Sequence, residues 1–227
     1  MRNRFSTAVL VAGMFVAHAA LALDLSGVTQ AEAGSGLKET LTRAADGAVT
    51  RLGAKDGFLK NPKVHIPLPP GLKQAESAMK LMGRGDDFDK LEVSINRAAE
   101  AAMPEAKQLL IDAVKGMSVQ DAKSILAGGD DAVTQFFRRK TEKPLSKKFL
   151  PVVKQATDRV GLAQQYNSLA GQAASFGVVK KDDSKIENYV TRKALDGLFV
   201  ILAEEEKAIR KDPVGTGSAL LKKIFGG

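Results

Sequence analysis

The chain has no cysteine, no tryptophan, only two histidines and two tyrosines, and no long hydrophobic run outside its N-terminal segment. Each absence removes a class of chemistry. Without cysteine there are no disulfides, no thiol nucleophile and no thiolate metal ligand, so the hydrophobic core must hold the fold alone. His18 lies in the N-terminal segment, which leaves His65 as the single imidazole of the remaining chain. A Ser-His-Asp triad would have to use it, and a zinc site would have to be almost entirely carboxylate. The phosphate-loop pattern GxxxxGK[ST] does not occur. A calcium loop starting at Asp86 would need glycine and glutamate where the chain has Leu91 and Arg97. We therefore expect no metal and no cofactor.

What is present begins with an address. Arg2 and Arg4 precede an apolar stretch, Phe5 to Ala17, too short to span a bilayer, and Ala20-Leu21-Ala22 supplies a small-x-small cleavage site. The expectation is a signal peptide over 1–22, cleaved after Ala22, and export to the periplasm. No cysteine stands at the cleavage point, so no lipid anchor is attached there. Loss of Arg2 and Arg4 lowers the formal charge from +8 to +6, a moderate bias toward anionic partners.

The remainder, 23–227, reads as one helical domain. Thr29 and Glu32 form a capping box ahead of a helix running from Gln30 to about Gly53. "DGFLKNPKVHIPLPPG", Asp56 to Gly71, carries four prolines and two glycines and excludes helix. Phe58-Leu59 and Val64-His65-Ile66 are spaced to pair as a short hairpin, with Ile66 to Pro70 extended beyond it. Helices are then expected over Leu72 to Met82, from Asp86 to about Met103, and from Pro104 to Gly116. A short one follows, capped by Ser118 with Asp121 and stopped by Gly128-Gly129. Asp130 caps the next. Pro144 begins another, Pro151 kinks it and Gly161 ends it. Leu162 to Phe176, Lys185 to Lys211 and a short segment from Asp212-Pro213 to Phe225 complete the count. The expected architecture is all-α: a single orthogonal domain of about eight or nine helices with a Pro-rich extended segment or hairpin near 58–70.

Five stretches, "NPKVHIPLP", "NRAAEAAMPEAK", "GGDDAVTQFFRRKT", "YVTRKALDGLF" and "AEEEKAIRKDP", resemble the bacterial domain-of-unknown-function family 4197, and the resemblance runs from about Leu25 to Phe225. It implies a helical protein exported from Gram-negative bacteria. It implies no activity, cofactor or substrate, and it carries no functional residue onto this chain.

Three groups of residues remain as candidates. The first is the triple glutamate that follows the apolar run of the last long helix. With Leu198 at the centre of the buried face and 100° per residue, Ala194, Leu195, Ile201, Leu202 and Ile209 fall within about a third of a turn. Glu205 falls within about 20° of the centre, while Glu204 and Glu206 fall outside. A carboxylate on the buried face must be paired or hydrogen-bonded. The expected partners of Glu205 are Arg97, Asn96 and Arg138, in that order. The second group is Asn96, Arg97 and Glu100, where Arg97 and Glu100 point away from the Ile95 face as a surface ion pair and Asn96 flanks it. The third is the basic run Arg138, Arg139, Lys140, Lys143, Lys147 and Lys148, opposed only by Glu142. "GGDD" before it reads as a tight turn, because Asp130 and Asp131 already occupy the positive end of the helix. The nearby aromatics Phe136, Phe137 and Phe149 read as core, and export argues against a nucleic-acid partner.

Two functions follow from these groups. One is a non-enzymatic periplasmic domain that binds an envelope protein or an anionic lipid surface through the basic run. The other is a hydrolase or lyase built on carboxylates and arginines, with Glu205, Asp196 and Arg97 as its candidates.

Overall fold

The computed structural model describes residues 30–81, 83, 85–175 and 184–211. Eight helical segments follow in order: α1 (Gln30–Gly53), α2 (Pro70–Leu81), α3 (Gly85–Ala102), α4 (Pro104–Lys115), α5 (Val119–Leu126), α6 (Ala132–Thr157), α7 (Gly161–Ser175) and α8 (Ile186–Lys211). The expected signal peptide, the Thr29 cap and the short helix after Asp212 lie outside the described residues. Met103 keeps helical dihedrals between α3 and α4, so the two can be counted as one helix broken at Pro104. Among the described residues the total is then seven, slightly below the eight or nine expected, a number that included the segment after Asp212. No strand occurs among the described residues, and no helix there is long and apolar enough to cross a membrane.

The apolar periodicities dictate the packing. Leu37, Leu41, Ala48 and Leu52 line one face of α1, and Phe88, Leu91, Ile95, Ala98, Ala99 and Ala102 line one face of α3, all essentially inaccessible. α6 sits against α8, α3 and α4, while α1 packs on α4 and α8. Ser118 and Asp121 form the expected capping box at the start of α5: Asp121 N–H donates to Ser118 Oγ at 3.0 Å, and Ser118 N–H donates to Asp121 at 3.1 Å.

Two expectations are corrected. The first concerns Pro144, which does not start a helix. α6 runs unbroken through both Pro144 and Pro151. An internal proline costs about 3 kcal/mol. Phe136, Phe137, Leu145, Phe149 and Val153 are fully buried on both sides of Pro144, and each large buried side chain returns about 1.5–3 kcal/mol. The two prolines stand seven residues apart, on one side of the helix, where Pro144 is half-buried and Pro151 exposed.

The second correction is the hairpin. Residues 55–60 and 62–64 form turns, with Val64 and His65 N–H groups both donating to the Asn61 carbonyl, and 65–69 carry no regular structure. Phe58, Val64, Ile66 and Leu68 are buried in the main core, so this segment packs as part of the fold. It closes tightly on its neighbours. A Cβ on Gly57 would lie 2.5 Å from the Arg51 carbonyl, and one on Gly197 of α8 would lie 2.7 Å from the Phe58 ring. Both positions therefore need glycine. Asp56, just before Gly57, takes a left-handed φ of 69°.

Candidate functional site

The backbone of the Pro-rich segment is paired with side chains of α3, which is why it needs no partner strand. Asn96 is fully buried. Its Oδ1 accepts from Ile66 N–H at 2.9 Å, and its Nδ2 donates to the Ile66 carbonyl at 2.9 Å and the Glu92 carbonyl at 2.8 Å. Glu100 Oε1 accepts from the N–H groups of Phe58 and Leu59, both at 3.1 Å. Arg97 then bridges Glu100 Oε2 and Asp56 Oδ1, at 2.6 Å each. These residues share one side of α3, as read from the sequence, but Glu100 is buried and its pair with Arg97 is no surface contact. Glu100 and then Asp56 raise the Arg97 pKa above its ordinary value. Lys60 and then Arg97 lower that of Asp56. Both carboxylate oxygens of Glu100 and both amide atoms of Asn96 are engaged by protein. His65, beside it, lies 3.2 Å from Glu92.

The triple glutamate also departs from expectation. Glu205 is not the buried member: its side chain keeps 31% of its exposure, and its ion pair is with Arg51 at 3.8 Å. It meets none of Arg97, Asn96 and Arg138. Glu206 is the buried one, 2% exposed. Its Oε1 accepts from Val133 N–H at 3.1 Å, and its Oε2 accepts from Thr134 N–H and Oγ1, also at 3.1 Å. Arg210 donates to Oε1 at 2.9 Å. Glu206 thus caps the first turn of α6 from across the core, which explains why Asp131, at the head of that helix, makes no side-chain capping bond. Glu204 pairs with Lys63 and, at 3.2 Å, with Arg51, and these cations, Lys63 first, hold its pKa below the ordinary carboxylate range.

The basic run divides into two sets. Arg138 lies 4.4 Å over the Phe199 ring and approaches Glu142 at 3.3 Å and Asp196 at 3.8 Å. Lys140 approaches Asp121 at 3.5 Å, and Lys148 approaches Glu105 at 3.9 Å. Arg139, Lys143 and Lys147 form the other set. They recur every four residues along one side of α6, are exposed, and meet no acidic partner among the described residues. Beside them runs a groove of about 510 Å³ between α6 and α8, whose walls include Lys143, Ser146 and Leu150 from α6 and Asn188, Thr191 and Arg192 from α8. Sequence reasoning named Lys143 but missed the α8 wall, since nothing along the chain announces which α8 face meets which α6 face.

The residues offered for an enzyme are not brought together. Arg97 is held by Asp56 and Glu100, Asp196 by Arg138, and Glu205 by Arg51. Among the described residues no three His, Asp or Glu side chains are grouped to hold a metal ion.

No curated protein and no solved structure is significantly similar to this chain. One family is: the proteins of unknown function DUF4197 match it over residues 27–226. Because that match spans essentially the whole chain, the protein belongs to the DUF4197 family.

Proposed function

We propose that this is an exported, non-catalytic binding protein that meets an anionic envelope surface through one side of α6. The observation that carries the reading is the row Arg139, Lys143 and Lys147, three exposed cations at helical spacing with no acidic partner among the described residues. Such a row lies along a plane of negative charge without bending. The aromatic side chains on the same helix, Phe136, Phe137 and Phe149, are fully buried, so they offer no stacking platform for single-stranded nucleic acid. The hydrolase or lyase alternative loses support because its candidate residues answer three separate local charges.

The test is co-sedimentation of the chain from residue 23 onward with vesicles. Binding to vesicles rich in anionic lipid should exceed binding to zwitterionic ones and fall steeply with added salt. Each basic residue near such a surface contributes about 1 kcal/mol, so Arg139→Gln, Lys143→Gln and Lys147→Gln together should weaken binding roughly 100-fold. Absence of binding at low salt, or a triple variant that binds like the parent, overturns the reading.

A further inference from the structure

We infer that residues 56–65 form an acid-opened flap, hinged at Ile66, that uncovers Phe58 and Val64 when its carboxylate ties are protonated.

The observation is how differently the two halves of the Pro-rich segment are held. From Ile66 onward the ties are neutral. Asn96 pairs with both backbone groups of Ile66 at 2.9 Å, and Tyr189 donates its hydroxyl to the Pro67 carbonyl at 3.1 Å. Before Ile66 they are ionic. The backbone bonds of 56–65 stay within the local turns: Gly57 N–H donates to Ala54, Lys60 to Asp56, Asn61 to Phe58, and Val64 and His65 to Asn61. Among the described residues, every hydrogen bond or ion pair that ties this stretch to the rest of the fold involves a carboxylate. Asp56 pairs with Arg97, and Glu100 accepts from the Phe58 and Leu59 N–H groups. Lys63 pairs with Glu204, and His65 faces Glu92 at 3.2 Å.

The charges around these ties set the sign. Arg97 is shared between Asp56 and Glu100, and Lys60 meets Asp56 at 3.0 Å. Arg51 joins Lys63 on Glu204 and approaches Glu205 at 3.8 Å, while Glu92 also attracts Lys73. Lys60 ahead of Arg97, and Lys63 ahead of Arg51, hold the Asp56 and Glu204 pKa values below their ordinary range. A carboxylate whose closed-state pKa is depressed stabilises the closed flap above its open-state value, near 4. It loses that contribution as pH falls toward the closed-state value, so acid opens the flap.

The opening is local because this half buries little. Only Phe58 and Val64 are buried within 56–65, and both rest on the α8 backbone at Gly197. A Cβ there would lie 2.7 Å from the Phe58 ring and 3.2 Å from Val64. Asp56 holds its left-handed φ of 69° between Lys60 and Arg97, so loss of those pairs also releases the turn. A stretch with few buried apolar contacts and only side-chain ties opens before the helices do.

The experiment is amide hydrogen exchange of the protein by NMR from pH 7 to pH 3, corrected for the intrinsic pH dependence of exchange. Each carboxylate coupled to opening contributes up to about tenfold per pH unit below its open-state value. Protection of Phe58, Leu59 and Val64 should therefore fall at least about tenfold between pH 6 and pH 3, while Leu91 and Ala98 of α3 and Leu198 of α8 keep theirs. Asp56→Asn with Glu204→Gln mimics the protonated ties, and asparagine tolerates the left-handed turn. In that variant trypsin cleavage after Lys60 and Lys63 at pH 8 should rise at least about tenfold, because cleavage follows the population of the open form. Protection lost equally in the flap, α3 and α8 means global unfolding and overturns the inference. So does parental protection kept to pH 3, or a double variant cut no faster than the parent. The pH series on the parent needs no substitution, so it decides the matter even where the double variant does not fold.

Discussion

Replacing Asn96 tests whether a side chain, rather than a partner strand, holds the Pro-rich segment in the core. The amide makes a two-way pairing with Ile66, accepting from its N–H and donating to its carbonyl at 2.9 Å each. Both residues are essentially inaccessible, so water cannot take over either bond. Asn96→Ala leaves one buried donor and one buried acceptor, each worth about 1–3 kcal/mol when orphaned. The better helix propensity of alanine returns only about 0.5 kcal/mol. The net expectation is a loss of about 2–5 kcal/mol, a large part of the 5–15 kcal/mol typical of a whole domain. Urea unfolding measures it, and trypsin cleavage after Lys60 and Lys63 should speed up in step, because the segment loses its anchor first. Asn96→Asp adds a sign. Its carboxylate would face the Ile66 and Glu92 carbonyls in a buried site, so its folded pKa would rise above the unfolded value near 3.9. A raised carboxyl pKa destabilises above the unfolded value, so the gap between Asn96→Asp and the parent should widen from pH 4 to pH 8. An Asn96→Ala variant within about 0.5 kcal/mol of the parent would refute the reasoning.

Glu206→Gln should cost about 3 kcal/mol by placing an amide where five donors converge, while Glu205→Gln should stay within about 0.5 kcal/mol; the reverse order in urea melts would return the buried carboxylate to 205. Asp56, Glu76, Asp121 and Glu204 all titrate below their ordinary values, through Lys60 and Arg97, through Lys80 and Lys73, through Ser118, and through Lys63 and Arg51 respectively. Depressed carboxyl pKa values stabilise above the unfolded range near 4 and lose that contribution as pH falls through the folded values, so Tm should be flat from pH 6 to 8 and drop below about pH 4. A Tm unchanged down to pH 2 would contradict those pairings. Chelator should leave Tm unchanged, since no cluster of three ligands occurs among the described residues, and a fall would mean a native-state metal.

Much of the fold was legible because it is written locally. Glycines, prolines and caps gave α1, α4 and α5 almost to the residue, and the Ile95 face of α3 was read correctly. What the sequence concealed was long-range. Pro144 is a local stop signal, but the buried Phe and Leu on either side of it outvote it. The hairpin spacing was real, yet the N–H groups of Phe58 and Ile66 go to Glu100 and Asn96, about forty and thirty residues away, and no alternation pattern reports that. The glutamate register failed for the same reason. A single stripe centred on Leu198 assumes one partner, whereas α8 packs on both α6 and α1. Near its end α8 faces both, with Ile209 packed on Ala44 of α1 and Glu206 turned to the start of α6, which leaves Glu205 at the edge beside Gly47 and Arg51.

The two polar groups on α3 and α6 looked alike in the sequence, each a set of charged residues on a helix, and the structure separates them by what their charges already answer. On α3, Asn96, Arg97 and Glu100 are engaged with the backbone of 58–66 and with Asp56, so a ligand there would have to displace bonds that hold the core. Removing one partner there would leave the other buried and unpaired, so these charges are committed to the fold. On α6, the cations nearest the core are likewise engaged: Arg138 with Phe199 and Glu142, Lys140 with Asp121, Lys148 with Glu105. Arg139, Lys143 and Lys147 stand outside that network, and removing their charge breaks no ion pair among the described residues. Substituting them should therefore leave the unfolding free energy within about 0.5 kcal/mol of the parent while changing what the surface binds, which is the signature that distinguishes a recognition face from a structural one.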